Sequence, residues 1–171
     1  MTPTKNILIG GISGGIGSAL AKELTRQQNR LFGFARSPER LDALQKELPG
    51  IQTEPCDATD PVALAEAFKK AHEAMGSIDV YIHAIGSILI KPAHLTQNQQ
   101  WQDTLNLNLS SAFYALKEAV ARMQRQGQGC LLFYSSTAAR IGIANHEAIA
   151  ASKAGIEALV RSAAASYSNR N

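Results

Sequence analysis

The sequence predicts an α/β fold, a doubly wound parallel sheet with helices on both faces, from three observations. Short apolar runs alternate with longer stretches of helical period along all 171 residues, with no linker, repeat or low-complexity segment between them. A glycine-rich turn, Gly10-Gly-Ile-Ser-Gly-Gly-Ile-Gly17, stands between the first apolar run and the first helical stretch. Apolar residues make up 45% of the chain and aromatics only 6%, which suits one core of small aliphatic side chains layered between helices and sheet. Parallel strands need a helical crossover to bring the chain back, so this alternation puts helices on both faces.

Strands are expected near residues 5–10, 30–35, 51–55, 78–84 and 129–135, each a short apolar run ending at a turn signal. Helices are expected near 15–28, 37–48, 60–75, 98–126 and 145–168. In the first, Ile16, Leu20 and Leu24 recur four residues apart on one face. Thr59 or Asp60 reads as the N-cap of the third. Leu105, Leu109, Ala112, Leu116, Val120 and Met123 mark the buried stripe of the fourth, and Gly127 and Gly129 end it. Ile156, Val160, Ala163 and Tyr167 share a face of the fifth. The length corresponds to one domain over residues 1–171.

Composition narrows the function classes. The net charge is +3, with basic residues spread along the chain and no basic cluster interleaved with aromatics, so nucleic acid is not an expected partner. No apolar run approaches the roughly 18 residues that span a bilayer, and the N-terminus lacks a signal-peptide h-region. A cytoplasmic protein with no membrane partner is therefore expected. Cys56 and Cys130 show neither a metal-ligand spacing nor a disulfide framework. Both are expected to be buried small apolar residues, and no metal is expected.

A strand, a glycine turn and a helix in that order suggest a Rossmann-type, dinucleotide-binding βαβ unit. The glycines let the backbone approach a pyrophosphate, which then faces the first N–H groups and the positive dipole end of the helix. A tight turn with no ligand is the competing reading, and the position after an N-terminal strand weighs against it. The second strand ends in Ala35-Arg36-Ser37, about 20 residues beyond the glycines, where NAD-binding proteins keep an acid for the ribose hydroxyls. A carboxylate there would repel a 2′-phosphate, whereas a guanidinium takes it in a bidentate contact. NADP, as NADPH, is therefore expected ahead of NAD. Arg40 either assists or faces water. Asp57, just past the third strand, either accepts from an adenine amino group or shapes a turn.

With these residues in view, the whole chain resembles the short-chain dehydrogenases/reductases. Gly11, Gly15 and Gly17 match the family's glycine signature, with Gly10 where a Thr is usual, and Asp57 matches its adenine-site Asp. His83-Ala84-Ile85-Gly86 stands where the family has Asn-Asn-Ala-Gly, which removes the usual asparagine contacts and leaves Gly86 free to approach the cofactor. The stretch from Trp101 to Phe113 is similar to the family's fourth helix and places its active-site Asn at Asn108. A buried amide there either relays water or is satisfied locally. The segments Leu131–Gly142 and Ala150–Gly155 resemble those that present the catalytic Ser and Lys, here Ser136 and Lys153. The resemblance thus implies a cofactor site of Gly11, Ser13, Gly15, Ile16, Gly17, Arg36, Ser37, Asp57, Ala58, Ala84, Gly86 and Lys153, and catalytic roles for Ser136, Lys153 and Asn108.

One position departs from that pattern. The family keeps a Tyr four residues before the Lys and thirteen after the Ser, and both counts land on Ile149. When hydride adds to a carbonyl, the oxygen needs a proton, and Ile149 has none to give. His146 is the candidate replacement: enoyl reductases of the superfamily place their Tyr seven residues before the Lys, and seven before Lys153 is His146. The resemblance implies an NADP-dependent oxidoreductase moving hydride between nicotinamide and a small-molecule carbonyl or alcohol substrate. The alternatives are a catalytically weak NADP(H)-binding sensor or partner subunit, and enoyl reduction through His146. It also implies a homo-oligomer formed through the fourth and fifth helices. The sequence stops at Asn171, before the family's C-terminal strands, so the fifth strand is expected as a sheet edge that needs cover.

Overall fold

Ile7, Leu8 and Ile9 set the layering, because successive side chains of a strand point to opposite faces. Leu8 packs with Phe34 and Tyr81 in one core cluster, and Ile7 and Ile9 pack with Leu31 and Ile82 in the other. The computed structural model describes residues 4–168. Its strands are β1 (Asn6–Gly10), β2 (Arg30–Ala35), β3 (Gln52–Pro55), β4 (Val80–His83) and β5 (Cys130–Phe133), all parallel, in the order β3-β2-β1-β4-β5. The helices are α1 (Gly15–Arg26), α2 (Pro38–Glu47), α3 (Pro61–Met75), α4 (Asn98–Leu105), α5 (Ser111–Gln126) and α6 (Glu147–Tyr167). Side chains of α3 and α5 cover the Leu8 face, and those of α1 and α2 cover the Ile7 face. This is the doubly wound Rossmann-type arrangement. The strand order reverses at β1, so a crevice opens between the carboxyl ends of β1 and β4.

Local chemistry explains where the helices start and stop. The Asp60 carboxylate caps α3 by accepting from the amides of Val62 and Ala63, at 2.8 and 3.3 Å, and Pro61 occupies the first helical position. Thr59, the other expected cap, instead turns back to Asp57. Ser37 caps α2, and Gly127, at φ +76°, ends α5. Among the described residues, no helix is long and apolar enough to cross a membrane.

Several expectations are corrected. Some strands are shorter than the apolar runs suggest, since residues just before a strand are also buried, Ile51 ahead of β3 and Ile78 ahead of β4. The single helix expected over 98–126 is interrupted by a π-helical turn at Asn106–Ser110. Of the expected stripe, Ala112, Leu116 and Met123 are buried and Leu105, Leu109 and Val120 are half-buried, while the buried face also takes in Thr104, Asn108, Ser111, Ala115 and Ala119. In α1 the buried residues are Gly17 and Ala21, while Ile16 is 55% exposed. The helix approaches the turn before it too closely for large side chains. Of the face expected on α6, Ile156 is buried but Val160 and Tyr167 are exposed. Cys56 is buried, with its thiol pushed up to about 12, first by burial and then by Asp57. Cys130 is exposed, because it opens the edge strand β5.

Candidate active site

The glycine turn is shaped by backbone against backbone. Gly11 has φ +79°, and a Cβ there would lie 2.7 Å from the Ala84 carbonyl oxygen at the end of β4. A Cβ on Gly17 would collide with the Gly11 carbonyl. No side chain caps α1 at Gly14, so its first N–H groups remain for a ligand. Beside this turn lies a cleft of about 590 Å³.

The structure brings Gly11, Ser13, Arg36, Ser37, Asp57, Ala58, Ala84 and Gly86 together around that cleft. Arg40 and Leu107 also line it, as does Gly14. Gly15, Ile16, Gly17 and Lys153 do not. Gly17 instead packs α1 against the turn, and a side chain at Gly15 would meet open space. Ser37 is already committed: its hydroxyl accepts from the Arg40 amide and donates to Glu39 at 2.7 Å. Asp57 Oδ1 accepts from the amide and hydroxyl of Thr59, at 2.9 and 2.8 Å. The amide bond is the main cause holding its carboxyl below the usual range against partial burial, with the hydroxyl and the Arg36 charge adding less. Among the described residues Arg36, Arg40 and Lys153 are paired with no carboxylate. Two free guanidiniums, a helix N-terminus and an ionised acceptor in one crevice suit a nicotinamide dinucleotide, whose phosphates are anionic and whose adenine carries an amino group.

At the other end of the cleft, two side chains converge on Gly86. A Cβ there would lie 2.9 Å from Asn108 Oδ1 and 3.3 Å from Lys153 Nζ. Lys153 is only 8% exposed, donates to the Tyr134 carbonyl at 3.1 Å, and has its pKa lowered by burial. Asn108, in the π turn, donates to the Thr104 carbonyl at 3.0 Å and to Ser87 Oγ at 3.2 Å, and accepts from the Ser87 amide at 3.1 Å. Its amide protons are thus spent locally. The geometry favours a tie between helix and loop over a water relay through this side chain.

Ser136 follows β5, and its Oγ accepts from the Ala138 amide at 3.2 Å, leaving the hydroxyl proton to donate. Glu157, unremarked in the sequence, holds this turn to α6: it accepts from Ser135 Oγ at 2.9 Å and from Arg140 Nε at 3.0 Å. Its spacing, one helical turn after Lys153, is the signal that could have found it. Ile149 is buried one turn before Lys153. His146 precedes α6 as its N-cap, so it lies outside the helix that carries Ile149. Its Nδ1 donates to the Ala144 carbonyl at 2.7 Å, which leaves Nε2 of the neutral ring as an acceptor.

Comparison with known proteins identifies the family and the fold. A family model described as enoyl-(acyl carrier protein) reductase matches residues 11–171. The chain is 29% identical over 178 aligned positions to the 3-oxoacyl-[acyl-carrier-protein] reductase FabG of Staphylococcus aureus, covering 99% of this chain and 71% of that protein. A short-chain type dehydrogenase/reductase from Mycobacterium ulcerans superposes with a TM-score of 0.93 at 26% identity, over 96% of this chain and 62% of that one. A metagenomic short-chain oxidoreductase solved in complex with NADP superposes with a TM-score of 0.90, also at 26% identity, over 98% of this chain and 79% of that one. The chain therefore spans between about three fifths and four fifths of the length of these relatives.

Proposed function

Because this chain belongs to the short-chain dehydrogenase/reductase family, we propose that it is an NADP(H)-dependent oxidoreductase acting on a carbonyl or alcohol substrate held at Ser136. One observation carries the reading: a single cleft has unpaired Arg36 at one end and Gly86, approached by Lys153 and Asn108, at the other. The family's use of nicotinamide cofactors and the NADP bound to a structural neighbour support the cofactor. Bound NADPH would supply the hydride. Arg36 and Arg40 hold the 2′-phosphate, the Lys153 ammonium donates to the nicotinamide ribose, and the Ser136 hydroxyl donates to the substrate oxygen.

Ile149 favours a second reading, a cofactor-binding subunit or sensor with slow chemistry. Loss of a general acid costs about 10²- to 10⁴-fold in rate. The description of the matching family model favours a third, enoyl reduction with His146 as donor. In that case His146 must act as the imidazolium, since its Nδ1 proton is held by Ala144. The test is NADPH oxidation by the full chain over ketones, aldehydes and enoyl thioesters, with NADPH binding measured on the same preparation. Turnover on a carbonyl supports the first reading, and turnover on enoyl thioesters alone the third. Binding without turnover supports the second, and failure to bind NADPH refutes all three. The reading includes self-association through α5 and α6, where Phe113 is 51% exposed beside Leu109, Gly155 and Leu159.

A further inference from the structure

The π turn at Asn106–Ser110 divides what is otherwise one helix from Asn98 to Gln126. The Ser111 amide bonds to the Asn106 carbonyl, one residue further back than in an α-helix, and the Leu107 carbonyl is thereby released from that bond. The Ser111 hydroxyl takes it, at 2.6 Å. Having given its only proton, Ser111 Oγ acts as an acceptor toward its other neighbour, His83 Nε2, at 3.2 Å. The imidazole must then carry its proton on Nε2 and present Nδ1 as an acceptor, which the Tyr81 hydroxyl meets at 2.7 Å. Every bond in the series runs one way, from Tyr81 to His83 to Ser111 to the Leu107 carbonyl.

The series is closed to water: Tyr81 and Ser111 are fully buried and His83 is 1% exposed. Phe133 of β5 lies against the imidazole, with ring centroids 5.5 Å apart. The charged group that acts on it is Lys153 of α6, which works in the same direction as burial to keep the ring neutral. A buried polar chain of this kind is costly when one link is missing, so it specifies one local backbone arrangement. That arrangement matters for the cleft. Leu107 lines it, and Asn108, the next residue, grips the Gly86–Ser87 loop through Ser87. Without the extra residue of the π turn, everything before it would rotate by about 100° relative to α5, and the Asn108 grip would be lost.

We propose that His83 is a positioning residue which, through Ser111, holds open the π turn that aims Asn108 at the Gly86–Ser87 loop and so shapes the nicotinamide end of the cleft. The effect on the cofactor rests on the function proposed above, whereas the hydrogen-bond series does not. The test therefore has two arms on the full chain. In the first, ¹⁵N spectra of the unmodified protein report the His83 tautomer, expected as neutral Nε2–H throughout the range between about pH 5 and 8. An Nδ1–H tautomer, or an imidazolium within that range, overturns the proposal without any variant having to fold. In the second arm, amide hydrogen exchange over residues 104–112 and NADPH affinity are measured in His83→Leu, His83→Gln and Ser111→Ala. Exchange is expected to rise about tenfold or more in His83→Leu and Ser111→Ala, with NADPH binding weakened by about tenfold. His83→Gln, whose carboxamide both donates and accepts, should restore most of each. Exchange in His83→Leu equal to that of the unmodified protein overturns the proposal. Should the unmodified protein bind no NADPH, the cofactor reading fails, and the tautomer and exchange still decide the role of His83.

Discussion

Replacing Ile149 by Tyr tests the missing proton most directly. Ile149 is 4% exposed on the first turn of α6, four residues before Lys153, so the two side chains are neighbours on one helix face. A phenol there is bulkier than the side chain it replaces, and overpacking a closed site costs about 1–3 kcal/mol. For a domain of this size that lowers Tm by about 2–12 °C. The hydroxyl has a ready partner, because the only hydrogen bond of the Lys153 ammonium among the described residues goes to the Tyr134 carbonyl. A nearby cation also lowers the phenol pKa and suits it to proton transfer. The expected gain is about 10²- to 10⁴-fold in kcat for carbonyl reduction, equivalent to about 2.7–5.4 kcal/mol of barrier, with NADPH affinity unchanged. Ile149→Phe is the control, with the same packing cost and no proton. The assay is nicotinamide absorbance under single-turnover conditions, so that product release does not mask the chemical step. Equal rates in the Tyr and Phe variants, both folded and both binding NADPH, would refute the reasoning.

Arg36→Ala should weaken NADPH binding about 10- to 100-fold and leave NADH binding nearly unchanged, as fluorescence titration with both cofactors would show. Gly17→Ala drives a methyl into the Gly11 carbonyl, where backbone opposes backbone. It should cost about 1–3 kcal/mol in denaturant unfolding and abolish NADPH binding by lifting the start of α1 away from the turn. Burial first, and Lys153 second, depress the His83 imidazole from 6.5 to about 3, so between those values the unfolded chain binds a proton that the folded chain refuses. The His83 contribution is therefore complete above pH 6.5 and declines as the pH falls toward 3. Lowering the pH to about 5 should cost about 2 kcal/mol in stability, and His83→Gln should lack that component. Glu157→Ala frees Ser135 and Arg140 from α6, and should lower kcat while sparing NADPH affinity, a split that simple unfolding would not produce.

The order of strands and helices, the glycine turn and the placement of Arg36 and Asp57 beyond strand ends were all legible in the sequence. These are local properties: a period of two or 3.6 residues, or a residue that permits positive φ, reads the same wherever the element docks. Which helix face is buried was less legible. Ile16 and Val160 have the right period, yet both are exposed, because the approach of α1 to its turn and the coverage of α6 depend on neighbouring elements. Ser37 precedes a proline and a helix, and the structure spends its hydroxyl on the cap. The π turn has no sequence signature at all. It exists because Asn108 finds Ser87 across 21 residues and Ser111 finds His83 across 28, contacts made only when β4 and the long helix are packed together. The sequence by itself determined the topology and named the residues at both ends of the cleft, Arg36 and Asp57 at one and Asn108, Ser136 and Lys153 near the other. Tertiary structure alone decided how the Gly86 end is arranged, because every buried polar group there must find a partner brought in from another element.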